Sequence, residues 1–394
     1  MNITLINLSN TTDMLICIQK HHFGMKNRTG CKCTIFLYVI CSLIILLILP
    51  LPPVFASETL TFKKIADVTV GDGYDILVDE SKNLCYVSFG ASGVKLYDIT
   101  SFSSPEMISQ MNEQNNGYAH QIHKIGSTIY VGDGRAGLTV YNWTIPQSPQ
   151  PQNRTLGYYG WATTSDSITN SLFLASGGDL FGFDTELVLF NISQPGQLEL
   201  LDEIPIPGDC VDVEVVSGIL YITGETIPLL TFNVANVSDV VELDQANENP
   251  PGSFATDIEI VGDFAYVSNW QGPFQIFSIA DPSNISLIHE FSEYHDSTCV
   301  ESNGEVVFLV DSIQGLVVFN VSDPLDPMIM GIYTDDQVQY RVDIVENYIF
   351  MTQLSKGFVI LQINPRTISG YGIGLFIFAC VVYIGLLIQK RALK

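Results

Sequence analysis

Residues 254–293 read FATDIEIVGDFAYVSNWQGPFQIFSIADPSNISLIHEFSE, and their pattern decides the fold. DIEIV alternates polar and apolar at period two, and FAYVS is dense in aromatic and β-branched residues. FQIFSI repeats that pattern after a Gly-Pro break, and NISLIHEF follows the turn chemistry of Asp281-Pro282-Ser283-Asn284. These are four short strands in a row. The second has no polar side, so a sheet made of them needs cover on both faces.

Working outward, the aromatic of the second strand recurs as Tyr86, Tyr130, Phe173, Tyr221, Tyr266, Phe308 and Phe350, at spacings of 44, 43, 48, 45, 42 and 42. The third strand recurs with it as KLYDIT, TVYNWT, LVLFNIS, LLTFNVA, QIFSIA, VVFNVS and VILQIN. Seven copies of one unit at this period predict an all-β, seven-bladed β-propeller of four-stranded blades. Blades stacked around an axis bury both faces of each sheet.

The segments FLVDSIQGLVVFNVSDPLDP (308–327) and YVSNWQGPFQIFSIADPSNI (266–285) resemble the LVIVD repeat, and the likeness extends over roughly residues 60–364. The third copy departs from it with a longer insertion, SGGDLFGFDTE. The resemblance implies a propeller on a secreted or membrane-anchored prokaryotic protein, and it implies no enzymatic activity.

The ends of the repeat region carry their own prediction. The last copy stops at its third strand, GFVILQIN, before Pro365, whereas an unmatched strand, TLTFKKIADV (59–68), precedes the first copy. A missing strand at one end and a surplus one at the other predict a ring closed by its termini, with 59–66 pairing with 357–363. An open array would leave aggregation-prone edges.

Three segments follow. Residues 1–56 read as a leader, in which basic residues precede the uncharged TIFLYVICSLIILLIL (34–49) and Val54-Phe55-Ala56 suits signal-peptide cleavage. MKNRTGCKC gives a basic start at Met25, which points to Met25 as the true start; an uncleaved signal anchor is the other reading. Residues 57–366 are the propeller. Residues 367–394 read as a transmembrane helix, ISGYGIGLFIFACVVYIGLLI, with a basic tail. Positive residues mark the cytoplasmic end, which predicts a single-pass membrane protein with its propeller outside and its C-terminus inside. The Gly-Tyr-Gly, apolar run and basic end also resemble the tripartite sorting signals of some archaeal surface proteins, which implies exchange of the tail for a lipid.

The formal charge is −25, and residues 57–366 carry ten basic against 41 acidic side chains. Such a field repels nucleic acid. Outside the leader, six Asn-x-Ser/Thr triplets, at Asn142, Asn153, Asn191, Asn236, Asn284 and Asn320, are candidate glycosylation sites. All six are placed in or just before turns from third to fourth strands. Asn142, Asn191 and Asn320 sit at the repeat's own turn-starting position, where a short polar side chain bonds its own backbone. Of eight cysteines only Cys85, Cys210 and Cys299 lie in the propeller, each in a different blade, so they read as buried single thiols.

The inner strands begin with Asp75, Gln121, Thr164, Asp212, Asp257, Cys299 and either Arg341 or Asp343. Carboxylates converging from Asp75, Asp212 and Asp257 would hold a hard cation such as Ca2+; the competing reading is that each bonds backbone of the neighbouring blade. No other metal or cofactor is indicated. His120 and His123, three apart on a strand, are placed on opposite faces. Finally, Tyr74, Trp161, Trp270 and His295 fall in loops that join blades or link second to third strands, where aromatics among Gly and Asp suit an interaction surface; Tyr74 and Trp161 also suit gap-filling between blades. The expectation is an extracellular module that binds protein or glycan through this face. The alternative is a hydrolase or lyase using a cation held by the channel aspartates.

Overall fold

The computed structural model describes residues 60–112, 117–178, 184–246, 252–304 and 306–365. Its 28 strands form seven four-stranded antiparallel sheets. After β1 (Leu60–Thr69), blade 1 contains β2 (Asp75–Asp79), β3 (Leu84–Ser88), β4 (Val94–Asp98) and β5 (Glu106–Met111). Blade 2 contains β6 (Ile122–Ile125), β7 (Thr128–Gly132), β8 (Leu138–Asn142) and β9 (Gln150–Arg154). Blade 3 contains β10 (Gly160–Asp166), β11 (Ser171–Ser176), β12 (Glu186–Asn191) and β13 (Glu199–Pro205). Blade 4 contains β14 (Cys210–Val216), β15 (Ile219–Gly224), β16 (Leu229–Asn233) and β17 (Val241–Ala246). Blade 5 contains β18 (Phe254–Val261), β19 (Phe264–Trp270), β20 (Phe274–Ser278) and β21 (Ser286–Phe291). Blade 6 contains β22 (Ser297–Ser302), β23 (Val306–Asp311), β24 (Gly315–Asn320) and β25 (Met328–Tyr333). Blade 7 joins β26 (Gln339–Val345), β27 (Tyr348–Gln353) and β28 (Gly357–Pro365) to β1, in the order β1-β28-β27-β26. The first strands of neighbouring blades touch around the axis, and β2 touches β26 to complete the ring.

The composition of the repeat explains the stacking. In β19, Ala265 and Val267 pack with Tyr221 and Leu229 of blade 4, while Tyr266 packs with Val300, Val307 and Leu309 of blade 6. All seven second-strand aromatics are buried. Burying a large apolar side chain contributes about 1.5–3 kcal/mol, so a strand that alternates between two apolar neighbours is stable only inside the ring.

The terminal strand closes the ring as the surplus predicted. β1 pairs antiparallel with β28, from Leu60 opposite Pro365 to Thr69 opposite Gly357. It also carries a feature the sequence hides. Every blade has a bulge where its fourth strand meets the third, at Ile108, Gln152, Leu201, Leu243, Ile288 and Met330, and β1 has it at Ile65 in the same register. A bulge sharpens strand twist, so β1 has the curvature of a true fourth strand. Gly357 permits the seam: its φ is +123°, and a Cβ there would collide with the Val68 carbonyl. Lys64 and Lys356 both contact Asp67, and Lys64 also reaches Asp335.

Among the described residues, no helix is long and apolar enough to cross a membrane. The expected leader (1–56) and transmembrane segment (367–394) lie outside them.

Candidate functional site

The first strands supply the axis. In blades 3 to 7 a register shift near the start of this strand sets two residues against one. Blade 2 does the same through Gly132, which bonds both the His120 N–H and the Gln121 carbonyl. This bulge sets the tiers of side chains that follow.

The residues just before the repeat position, Tyr74, His120, Trp161, Val211, Thr256, Thr298 and Tyr340, all line one cavity of about 390 Å3 at a mouth of the channel. One comes from each blade. Blades 7, 1, 2 and 3 contribute the ring-bearing side chains and blades 4, 5 and 6 the small ones, so the space opens on one side of the axis. The aromatic wall is closely packed. The Tyr74 hydroxyl bonds that of Tyr118, and its ring lies 5.5 Å from Tyr340. His120 stands 4.4 Å from Trp161, which lies 5.1 Å from Tyr159. His120 Nε2 and Trp161 Nε1 are buried with no hydrogen-bond partner. Burial pushes the His120 imidazole down to about 3, helped by Arg341, so it is neutral.

The tier below is Asp75, Gln121, Ala162, Asp212, Asp257, Cys299 and Arg341. Here two sequence expectations need correction. Ala162, not Thr164, is the blade 3 equivalent, because the turn between β10 and β11 spans four residues, 167–170, where blade 4 has two; Thr164, opposite Phe173, falls at the place of Glu214. Arg341 and Asp343 both belong, in successive tiers. The aspartates bond backbone: Asp75 accepts from Ile122 N–H (2.6 Å), Asp212 from Ile258 N–H (3.1 Å) and Asp257 from Val300 N–H (2.8 Å), each in the next blade. Gln121 does likewise with Thr163 N–H. Two contacts skip a blade. Gln121 donates over Ala162 to Asp212 at 3.0 Å, and Arg341 reaches over Cys299 to pair with Asp257. Both oxygens of Asp212 and of Asp257 are thereby engaged. Through these bonds Asp75, Asp212 and Asp257 tie neighbouring blades; among the described residues, no group of three or more His, Cys, Asp or Glu side chains is arranged to hold a metal ion.

A third tier is strongly acidic. Glu214 accepts from Ile260 N–H and Asp343 from Val78 N–H. Glu259 and Glu301 occupy the equivalent places between them. Burial raises the carboxyls of Glu214, Glu259 and Glu301 well above the usual range, with repulsion among neighbouring acids adding to it. Burial also raises Asp343 and Asp75, each to about 6. His123 sits in this tier, 2.8 Å from Ser165 Oγ of blade 3. The two histidines are therefore not split across opposite faces; the bulge puts His120 at the mouth and His123 two tiers down.

Of the four face residues expected from sequence, Tyr74, Trp161 and Trp270 line the cavity, Trp270 being 44% exposed. His295 lies outside the lining, exposed, with Nδ1 2.7 Å from Asp296. Tyr340, Thr256 and Thr298 were legible only through the bulge.

The candidate glycosylation sites sit elsewhere. Asn142 and Asn320 end third strands, as does Asn191, while Asn236 and Asn284 lie in the turns that follow. In an antiparallel blade those turns are at the end opposite to where the first strands begin, and so opposite the cavity. Asn153 is the exception, since it lies within β9 rather than a turn. Asn236 also starts a turn, accepting from Ser238 N–H, as Asn142, Asn191 and Asn320 do from Thr144, Ser193 and Ser322.

Fold and axis together define a seven-bladed β-propeller with an aromatic cavity over an acidic channel. Residues 252–292 and 300–335 match the LVIVD repeat, so the fifth and sixth blades are LVIVD repeats. No curated protein matches the chain. A crystal structure of the computationally designed Ika8 protein is similar in fold, with a TM-score of 0.56 at 8% identity, covering 76% of this chain and 99% of that one.

Proposed function

We propose that the chain is a recognition module held on the outer side of a membrane, engaging a protein or glycan through the cavity face. One observation carries this reading: the cavity is built by all seven blades at one mouth of the channel, walled by Tyr74, Trp161 and Tyr340 and rimmed by Trp270. Its volume suits a small ligand or an anchoring group, and exposed aromatics beside a concavity suit a binding hot spot.

The placement of the ends supports the anchoring. Leu60 pairs with Pro365, so the described chain starts and stops at adjacent points, on the face that carries the third-to-fourth-strand turns. The apolar run at 368–388 begins three residues beyond Pro365. A tether there leaves the cavity face turned away from the bilayer. Asn142, Asn191, Asn236, Asn284 and Asn320 share the tethered face, so glycans on them leave the cavity clear.

The test is a binding screen of the full chain in detergent micelles against arrays of glycans and extracellular-matrix proteins, beside Trp270→Ala. A ligand whose signal falls in Trp270→Ala supports the reading. Absence of any ligand, or binding indifferent to this change, refutes it.

A further inference from the structure

From the chemistry of the cavity wall we infer that the cavity takes a single uncharged sugar ring, the terminal pyranose of a glycan; this rests on the recognition reading and narrows it. The lining contains no carboxylate. Its one formal charge, the Arg341 guanidinium, is already paired with Asp257 and also donates to the Thr256 carbonyl. The His120 imidazole is neutral. A ligand with a net charge would therefore find no free counter-ion in the lining to offset the water it gives up.

What the wall offers is flat apolar surface and a few polar atoms. The indole of Trp161 and the rings of Tyr74 and Tyr340 lie on one side, with Val211, Thr256 and Thr298 opposite. A pyranose has one face of C–H groups, which packs on such rings, and an edge of hydroxyls that both donate and accept. Two residues of the wall also hold a buried polar atom with no protein partner, His120 Nε2 and Trp161 Nε1, so the wall is not purely apolar. A neutral imidazole has one donor and one acceptor nitrogen, whereas the indole N–H only donates. A purely aromatic ligand would leave both atoms unsatisfied, which is costly for buried groups. The hydroxyls of Thr256 and Thr298 are already spent on backbone carbonyls, Thr256 on Ser297 and Thr298 on Tyr340, while the lining also carries the hydroxyls of Ser312 and Tyr340.

The experiment titrates the full chain in detergent with glucose, galactose, mannose and N-acetylglucosamine, and with glucuronate and glucosamine as charged controls. Binding is read by tryptophan fluorescence and saturation-transfer NMR. At least one neutral sugar is expected to bind, with each charged control about tenfold weaker or worse. Trp161→Ala should weaken the neutral sugar by about tenfold, the worth of one good aromatic contact. Because that change also touches packing, Val211→Phe provides a second variant: it fills the cavity from the opposite, partly exposed side and should abolish binding with the melting temperature unchanged. Failure of every neutral sugar, equal binding of the charged ones, or binding that survives Val211→Phe overturns the inference. If the sugars fail while the Trp270-dependent array signal persists, this inference falls and the recognition reading stands; if both fail, both fall.

Discussion

Arg341 of the seventh blade reaches across the sixth to pair with Asp257 of the fifth, while Asp257 also accepts the Val300 N–H of the blade between them. Three consecutive blades are thus tied at the axis by one buried ion pair. Arg341 is 15% exposed at its side chain and Asp257 6%. Removing one partner leaves an uncompensated buried charge, which costs about 3–5 kcal/mol. Arg341→Leu should therefore lower the unfolding free energy obtained from urea denaturation by that amount. Arg341→Leu combined with Asp257→Asn should recover much of the loss, because the amide oxygen still accepts from Val300. A double variant no better than the single one would show that packing around Arg341, not charge, is what matters.

The acidic tier sets an unusual pH dependence. Glu214, Glu259, Glu301, Asp343, Asp75 and Asp212 all have carboxyls raised by burial, Asp75 and Asp343 to about 6 and the glutamates beyond that. Between the unfolded carboxyl values and these folded ones, the native chain binds more protons than the unfolded chain, so stability falls as pH rises through that window. Asp67, Asp79 and Asp335 have carboxyls lowered by their hydrogen bonds and lysines, despite partial burial; their contribution is present above the unfolded value and is lost as pH drops through the folded one. The melting temperature should peak at about pH 4–6 and decline into the alkaline range. Glu259→Gln should raise it at pH 8 by about 1–2 °C, the shift produced by roughly 1 kcal/mol in a domain of this size. A melting temperature that climbs steadily to pH 8 would contradict this.

Ring closure by β1 makes the opposite ends interdependent. Deleting residues 60–69 removes the strand bonded to β28 and uncovers the apolar residues of blades 6 and 7 that pack with Leu60 and Phe62. The truncated chain should elute as aggregates in size-exclusion chromatography, because an unpaired apolar edge recruits other chains. A monodisperse, cooperatively melting product would mean that three strands suffice in the last blade.

The propeller cysteines should be inert. Cys85, Cys210 and Cys299 are free and buried, and burial pushes their thiols up. Alkylation of the native chain followed by mass mapping should find all three unmodified, and alkylation in guanidinium should find all three labelled. Native labelling at any of them would mean that its blade opens.

Sequon occupancy should not affect ligand binding. In a glycosylating host, glycans at Asn142, Asn191, Asn236, Asn284 or Asn320 would sit on the face away from the cavity. Enzymatic deglycosylation should leave the affinity for a cavity ligand unchanged within about twofold, a difference well under 1 kcal/mol. A larger change would place a glycan at the mouth.

The ring itself was legible in the chain. Tyr86 to Phe350 recur because every second strand must be apolar on both faces, and that requirement is local and periodic. The need for β1 to complete blade 7 followed from counting strands. The bulges were not legible. A backbone shift leaves no residue type behind, and it brought Tyr340 and Thr256 to the cavity and set His123 two tiers below His120. The longer turn between β10 and β11 put Ala162 rather than Thr164 in the tier of Asp212.

Sequence alone thus determined what repeats: blade number, strand order, the apolar strands and the acidic balance, since each depends on neighbours at fixed spacing. The tertiary structure alone decided what converges. Whether Asp212 and Asp257 faced a cation or a neighbouring backbone, and which aromatics share one cavity, depends on contacts between residues more than forty positions apart, and those are fixed only when the ring closes.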